Sequence, residues 1–430
     1  MPEDPELLER MRSDWNQRAK EDAYFYVAFV RRNQSAEEFE SSASVVIHQL
    51  EAELARLPPG DPSSRRALEV GCGPGRLMIP FSRHFAEIHG VDVSDEMIRI
   101  AEERLSGAPN ARVHVNNGAD LAMFEDGYFD FVYSCVVFQH IPNRQIVLNY
   151  LCEIHRVLKT RGVLQCQFRG SASDAPGREP NTWSGCSFTG REIAGFAGSH
   201  GFQLLTMSGE GTPYMLVTLR KADHLAAADV SQTRLLAVTA PDGSGWVPQR
   251  GRGAGVSLWI GGLPDACDLN DLTVNFSGVD ARGCYLSPIA PGGGCQLNAL
   301  LPKEIMPGPV LVQLGYRGSP IGEGQIEVTS GPERAPRVAV VTDGINLQAK
   351  ARVESGTFKV ALEDIENPAD VSFWIGSRTI PIEDVECLDR IGEQFYYTLR
   401  LPPGILGGKH FMAVRVSGLD LPAIELDVRI

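Results

Sequence analysis

The chain has 430 residues, a formal net charge of -14, 43% hydrophobic and 22% charged residues, which predicts a globular protein of two or three domains. Long basic tracts and apolar runs of membrane-span length are missing, which argues against nucleic acid, anionic membrane and a membrane span. Residues 1–20 are charged and polar without a secretory pattern, so a cytoplasmic location is expected. The nine cysteines contain no C-x-x-C pair; reduced structural thiols and no metal site are expected.

In chain order, Ala43, Val46, Ile47, Leu50, Leu54 and Leu57 recur at helical spacing before Pro58-Pro59-Gly60 ends the run. Ala67-Leu68-Glu69-Val70 predicts a short buried strand, followed by the glycine turn Gly71-Cys72-Gly73-Pro74-Gly75-Arg76 and an amphipathic helix over Leu77–Phe85. A second strand is expected at 88–93. Ser94 is then an N-cap for a helix with Met97, Ile98, Ala101 and Leu105 on one face. Strands over 112–115, 129–134 and 163–168, helices over 144–158 and 189–200, and a hairpin over 202–220 complete an alternating α/β unit with a mainly parallel sheet.

Residues 222–430 are rich in glycine, proline and alternating apolar positions, which predicts antiparallel β-structure. The segment repeats internally. Trp259-Ile260-Gly261 returns as Trp374-Ile375-Gly376, and Leu301-Pro302, Ile305 and Gly308 return as Leu401-Pro402, Ile405 and Gly408. Each copy spans roughly 100 residues, the size of one β-sandwich of the immunoglobulin type. The expected division is 1–221 (with a helical cap over 1–60), 222–332 and 333–430. Trp259 and Trp374 lie in alternating apolar strands and are expected in the cores.

A strand, a glycine turn and a helix start form a cradle for a nucleotide-like ligand. A dinucleotide turn needs a small residue at its sixth position; here that position is Arg76, which disfavours a nicotinamide oxidoreductase. The phosphate-loop pattern is also missing. The remaining pattern, Glu69 through Gly75, resembles the first motif of the class I S-adenosylmethionine-dependent methyltransferases. His89 through Met97 is similar to the second motif, Asn117 through Leu121 to the adenine-side loop, Phe129 through Pro142 to the fourth, and Arg156 through Gly162 to the turn before strand 5. The resemblance covers about 67–220. It implies a Rossmann-like domain with a mainly parallel seven-stranded sheet, S-adenosylmethionine as cofactor, and cofactor contacts at Glu69, Gly71, Cys72, Gly73, Gly75, Asp92, Val93, Met97, Gly118, Ala119, Asp120, Leu121 and Ser134. Asp92 would accept from the ribose hydroxyls, Asp120 from the adenine amino group, and the turn N–H groups would hold the methionine carboxylate. Two departures stand out: relatives often carry the adenine-side acid where this chain has Gly118, and Thr160-Arg161-Gly162 replaces the usual Pro-Gly-Gly.

His140, after strand 4 on the acceptor side, is the candidate general base. Phe138, Gln139 and Tyr24 are candidate acceptor contacts, Tyr24 within an aromatic N-terminal segment (Trp15, Tyr24, Phe25, Tyr26) of lid character. No Asn/Asp-Pro-Pro-Tyr signature follows strand 4, where Ser134-Cys135-Val136-Val137 stands instead. The reading is O- or N-methylation of a small molecule or saccharide, with β-modules for binding or assembly through self-association or protein and glycan contacts. The alternative is a scaffold that binds the cofactor without turnover.

Overall fold

The computed structural model describes residues 4–28, 31–170, 180–223, 229–251, 253–331, 335–389 and 392–429. Two compact units emerge: residues 4–23 with 40–331, and residues 24–39 with 335–429.

The first unit is built on strands β1 (Arg66–Val70), β2 (Glu87–Asp92), β3 (Ala111–Val115), β4 (Phe129–Ser134), β5 (Leu158–Gly170), β6 (Ser187–Phe188), β7 (Phe202–Ser208) and β8 (Met215–Lys221). Their order runs β3-β2-β1-β4-β5-β8-β7, with β6 beside β5. The pairs β1–β2, β1–β4, β2–β3 and β4–β5 are parallel, whereas β8 runs antiparallel to β5 and β7. The central strands are nearly continuous buried apolar runs because helices cover both faces.

The helices are α1 (Pro5–Ala28), α2 (Ala36–Ser41), α3 (Ser44–Glu53), α4 (Met78–Phe81), α5 (Asp95–Arg104), α6 (Arg144–Val157) and α7 (Gly190–Ser199). Their starts follow local chemistry. Ser94 accepts from the Met97 N–H, Asn143 from those of Gln145 and Ile146, and Thr189 with Glu192 forms a capping box. The helix expected over Leu77–Phe85 is shorter than its pattern. It stops at Phe81 and tightens to a 3₁₀ turn over Ser82–His84, where the Ser82 hydroxyl bonds the Ile79 carbonyl.

The sheet does not end at β7. Thr206 pairs with Tyr285 of β14 (Gly283–Leu286), and the sheet continues through β15 (Gly294–Leu300), β11 (Gly255–Gly261) and β9 (Arg234–Thr239) to make 12 strands. A second sheet holds β10 (Trp246–Pro248), β12 (Leu272–Phe276), β13 (Val279–Ala281), β16 (Gly308–Tyr316) and β17 (Ser319–Thr329). One buried cluster runs from Leu68, Val132 and Leu164 through Leu204 and Val217 to Val256, Leu297 and Val312. The buried cluster of the α/β part is therefore continuous with that of the β-rich segment up to residue 331.

In the second unit, one sheet contains Arg337–Asp343, Thr357–Glu363, Gln394–Arg400 and Ile382–Asp389. The other is centred on Ile424–Val428, Gly408–Val416 and Val371–Ile375. Phe358, Val360, Tyr397 and Leu399 of the first share a core with Phe373, Met412, Val414 and Leu426 of the second, a two-sheet sandwich. The sequence repeat has local backbone counterparts. Gly308 and Gly408 take φ of 134° and 133°, and the N–H groups of Ile305 and Ile405 bond the carbonyls of Pro302 and Pro402.

The tryptophans differ from expectation. Trp259 is 43% exposed and Trp374 is half-buried beneath the Arg415 guanidinium. Each falls between inward residues, Leu258 and Ile260 or Phe373 and Ile375, so the two-residue period turns it away from the core.

Candidate active site

The glycine turn leaves β1 at the point where strand order reverses, with β2 on one side and β4 on the other. This is where open α/β sheets bind ligands. Gly71, Gly73 and Gly75 all have left-handed φ, at 75°, 51° and 76°. A Cβ on Gly71 would lie 2.3 Å from Val137 Cγ2, so the turn passes directly beneath the chain leaving β4. That chain is itself strained: Val136, β-branched, holds φ at 58°.

The turn N–H groups do not form the free cradle expected from the motif. Those of Gly71 and Cys72 bond the Val91 carbonyl at 2.8 and 3.0 Å, and that of Gly75 bonds Cys72 at 3.0 Å. The Gly73 N–H reaches Asp92 Oδ2 at 2.9 Å, and the Ser94 N–H reaches Asp92 Oδ1 at 2.9 Å. Asp92 thus sits at the end of β2 with its carboxylate fixed against the turn. Burial pushes its pKa up, opposed by these N–H groups.

Glu69, 3% exposed, accepts from the Tyr133 hydroxyl at 2.9 Å. Burial pushes it up to about 8 against that hydrogen bond and the Arg76 charge. Arg76 donates to the Ser42 carbonyl, yet its Nε is buried without an acceptor among the described residues, as is Arg12 Nε. Two unsatisfied buried donors, one in the turn and one against Asn116 of the 116–121 loop, suit a ligand bearing oxygen acceptors, and the residues present fit the nucleoside and amino-acid parts of the expected cofactor.

The 116–121 loop is organised by asparagines. Asn117 Oδ1 accepts from the N–H groups of Ala119 and Asp120, and its amide donates to Asp120 Oδ2 at 2.7 Å. Asp120 Oδ1 accepts from the Ala122 N–H. Gly118, with φ of 83°, leaves space that a Cβ would take 3.0 Å from Val93 and 3.7 Å from Leu8. Helix α1 covers this edge. Arg12 donates to the Asn116 carbonyl at 3.3 Å, and Asn16 Oδ1 accepts from the Ser94 hydroxyl at 2.6 Å. Leu8, Arg12 and Asn16 share one face at four-residue spacing, the sequence signal that marks them. Cys72, Met97, Leu121 and Ser134 are buried; Ser134 donates to the Val70 carbonyl and so ties β4 to β1.

His140 is also buried. Its Nδ1 donates to the Trp183 carbonyl at 2.5 Å, and the Gln139 amide, itself bonded to by Gln167, donates to Nε2 at 3.4 Å. A carbonyl only accepts, so the proton resides on Nδ1 and the lone pair on Nε2. Burial pushes the ring down to about 4, helped by the charges of Arg18 and Arg169. The ring is neutral at physiological pH. The Trp15 and Trp183 rings flank it at 5.5 and 5.2 Å. Arg18 lies 4.7 Å from Trp15 and donates to the carbonyl and hydroxyl oxygens of Thr182. Arg18, Trp183 and Gln167 were not legible as site residues.

Two acceptor candidates have other surroundings. Phe138 is 1% exposed and packs between Tyr150 and Phe168, the position of a core ring. Tyr24 stacks on Phe39 at 4.2 Å within the second unit.

Residues 68–166 match the sequence model of a family described as a methyltransferase domain. The chain is similar to trans-aconitate 2-methyltransferase of Rhodopseudomonas palustris, 34% identical over 116 residues, 26% of this chain and 41% of that protein. It is also similar to the ubiquinone biosynthesis O-methyltransferase of Xanthomonas axonopodis, 30% identical over 101 residues, 23% of this chain and 41% of that protein. The chain thus spans about two fifths of the length of each. Among solved structures, geranyl diphosphate C-methyltransferase of Streptomyces coelicolor aligns at 17% identity with a TM-score of 0.37, over 52% of this chain and 100% of that one. The match to the methyltransferase-domain model thus falls on the stretch from β1 to β5, which holds the glycine turn and Asp92.

Proposed function

We propose that the chain transfers a methyl group from S-adenosylmethionine to an oxygen or nitrogen of a small molecule or saccharide. The observation that carries this reading is Asp92, fixed by the Gly73 and Ser94 N–H groups against a three-glycine turn inside the methyltransferase domain. When bound, the cofactor supplies an electrophilic methyl on a sulfonium. Asp92 accepts from the ribose hydroxyls. The Gly71–Gly75 turn admits the ligand, with Cys72, Val93, Met97 and Ser134 shaping the walls. The Gly118–Leu121 loop borders the adenine, Asp120 accepting from its amino group. The turn N–H groups being occupied, Arg76 and Arg12 are the donors for the cofactor's oxygens, and Glu69 is the acid nearest Arg76 in the turn.

Methyl transfer is an in-line displacement in which alignment and exclusion of water dominate. The acceptor site is the wall formed by Trp15, Arg18, Gln139, His140 and Trp183. Neutral His140 offers its Nε2 lone pair, in place of the long 3.4 Å contact from the Gln139 amide, to a hydroxyl or amine as the proton leaves. A base of pKa about 4 suits an acceptor that loses its proton late or is already unprotonated. The relatives named for trans-aconitate and ubiquinone biosynthesis support a small-molecule acceptor. The two β-parts, read as immunoglobulin-type modules, serve binding or assembly, and a cytoplasmic setting suits the thiols.

Calorimetric titration of the full chain with S-adenosylhomocysteine, followed by transfer of labelled methyl to a panel of hydroxyl, amine and carboxylate acceptors, tests this. One-to-one binding with transfer to some acceptor is expected; absence of cofactor binding would overturn the enzyme and scaffold readings together. Binding without transfer to any acceptor class would favour the scaffold.

A further inference from the structure

The turn before β5 carries an arginine in a conformation that favours glycine. Arg161 holds φ at 66°, a left-handed backbone that disfavours an L-residue with a side chain. Its side chain pairs with Asp265 at 2.6 Å. Arg220 of β8, whose residue position faces Val163 across the sheet, pairs with the same carboxylate at 2.9 Å and also donates to the Asp265 carbonyl and to Gln203. Arg56, just beyond α3, pairs with Glu53 and donates to the Leu286 carbonyl at 2.7 Å.

These three arginines and Asp265 line one cavity of about 190 Å³, whose other lining residues are mostly apolar, Leu205 and Leu286 among them. The cavity lies at the amino ends of the parallel strands, because Phe131 of β4 pairs with Val163 just after the turn, whereas the cofactor turn lies at their carboxyl ends. Three guanidiniums meet two carboxylates here, Asp265 in the wall and Glu53 against Arg56, a surplus of one positive charge in a chain of net charge -14. Two of the cations are almost dry, the Arg56 and Arg220 side chains being 3% and 8% exposed. Each guanidinium has several N–H groups in a rigid fork suited to carboxylate or phosphate. The carboxylates of Asp265 and Glu53 offset two of the three guanidiniums and leave the cavity net positive.

We propose that this cavity is a second ligand site, taking a small anion with a phosphate or carboxylate group held by Arg56, Arg161 and Arg220. Its volume admits an inorganic phosphate or a short dicarboxylate. The proposal does not depend on methyl transfer. Arg161, tolerated at a glycine position, is the residue whose side chain explains the turn's departure from Pro-Gly-Gly.

Inorganic phosphate and succinate are titrated calorimetrically into the full chain, with chloride at matched ionic strength as control. One of the two binds one-to-one, and which one binds identifies the headgroup. Arg161→Gly suits the left-handed turn and keeps the fold, checked by circular dichroism; it weakens binding by about tenfold or more, the loss of a charged hydrogen bond. Asp265→Asn, which removes the competing carboxylate, tightens binding. Failure of both anions to bind at millimolar concentration would overturn the proposal, as would equal affinity in Arg161→Gly and the parent, or weaker binding in Asp265→Asn.

Discussion

Replacing Glu69 by Gln tests the electrostatics of the cofactor turn. Glu69 titrates at about 8 in the folded chain against 4.5 for an ordinary glutamate, because burial outweighs the Tyr133 hydrogen bond and the Arg76 charge. Above pH 4.5 the unfolded chain releases this proton while the folded chain keeps it. The group therefore stabilises the fold at low pH, and that contribution is lost as pH rises towards 8. At pH 7 the loss amounts to about 3 kcal/mol. The Gln amide oxygen still accepts from Tyr133 and does not titrate, so Glu69→Gln flattens the fall in stability between pH 5 and 8. The same proton reports cofactor binding. If the amino-acid end of S-adenosylhomocysteine brings its ammonium close to Glu69, the carboxyl ionises and about 0.9 proton leaves at pH 7. Calorimetry in buffers of different ionisation enthalpy counts that proton, and Glu69→Gln lacks it. Equal proton release by parent and variant, with parallel stability profiles, would refute the reasoning.

Gly71→Ala places a Cβ 2.3 Å from Val137 at a φ of 75° and lowers cofactor affinity by about tenfold or more, with a loss of thermal stability, read by titration and melting. His140→Ala lowers methyl transfer by about tenfold or more with cofactor affinity intact; unchanged turnover would remove His140 from the chemistry. In the parent, the acid limb of the rate profile falls near pH 4, where His140 gains its proton, and a limb near 6.5 would contradict the buried, neutral ring. A chain ending at residue 221 loses the pairing of Thr206 with Tyr285 and the bond from the Leu204 N–H to Asp268. It is expected to aggregate or melt well below the full chain, and equal melting temperatures would show that the shared core is dispensable.

Much of the α/β unit was legible because its signals are local. Buried strands, the Ser94 cap and the glycine turn each follow from neighbouring residues, and so did the choice of Asp92 over a dinucleotide arrangement with Arg76 in the way. What the turn does with its N–H groups was not legible, since the Val91 and Asp92 acceptors come from the adjacent strand β2. The same holds for His140, whose buried neutral state depends on Trp183 and Arg18, far from it in the chain. Trp259 illustrates the limit from the other side: its apolar neighbours suggested a core, but alternation along the strand points it outward.

By itself the sequence determined the strand–turn–helix order and singled out candidate cofactor residues, because both follow from residues within a few positions of one another. Only the tertiary structure decided that the sheet runs on through Thr206 and Tyr285 into the β-rich half. It also brought Arg56, Arg161 and Arg220 around one cavity, because strand pairing and charge pairing join residues distant in the chain.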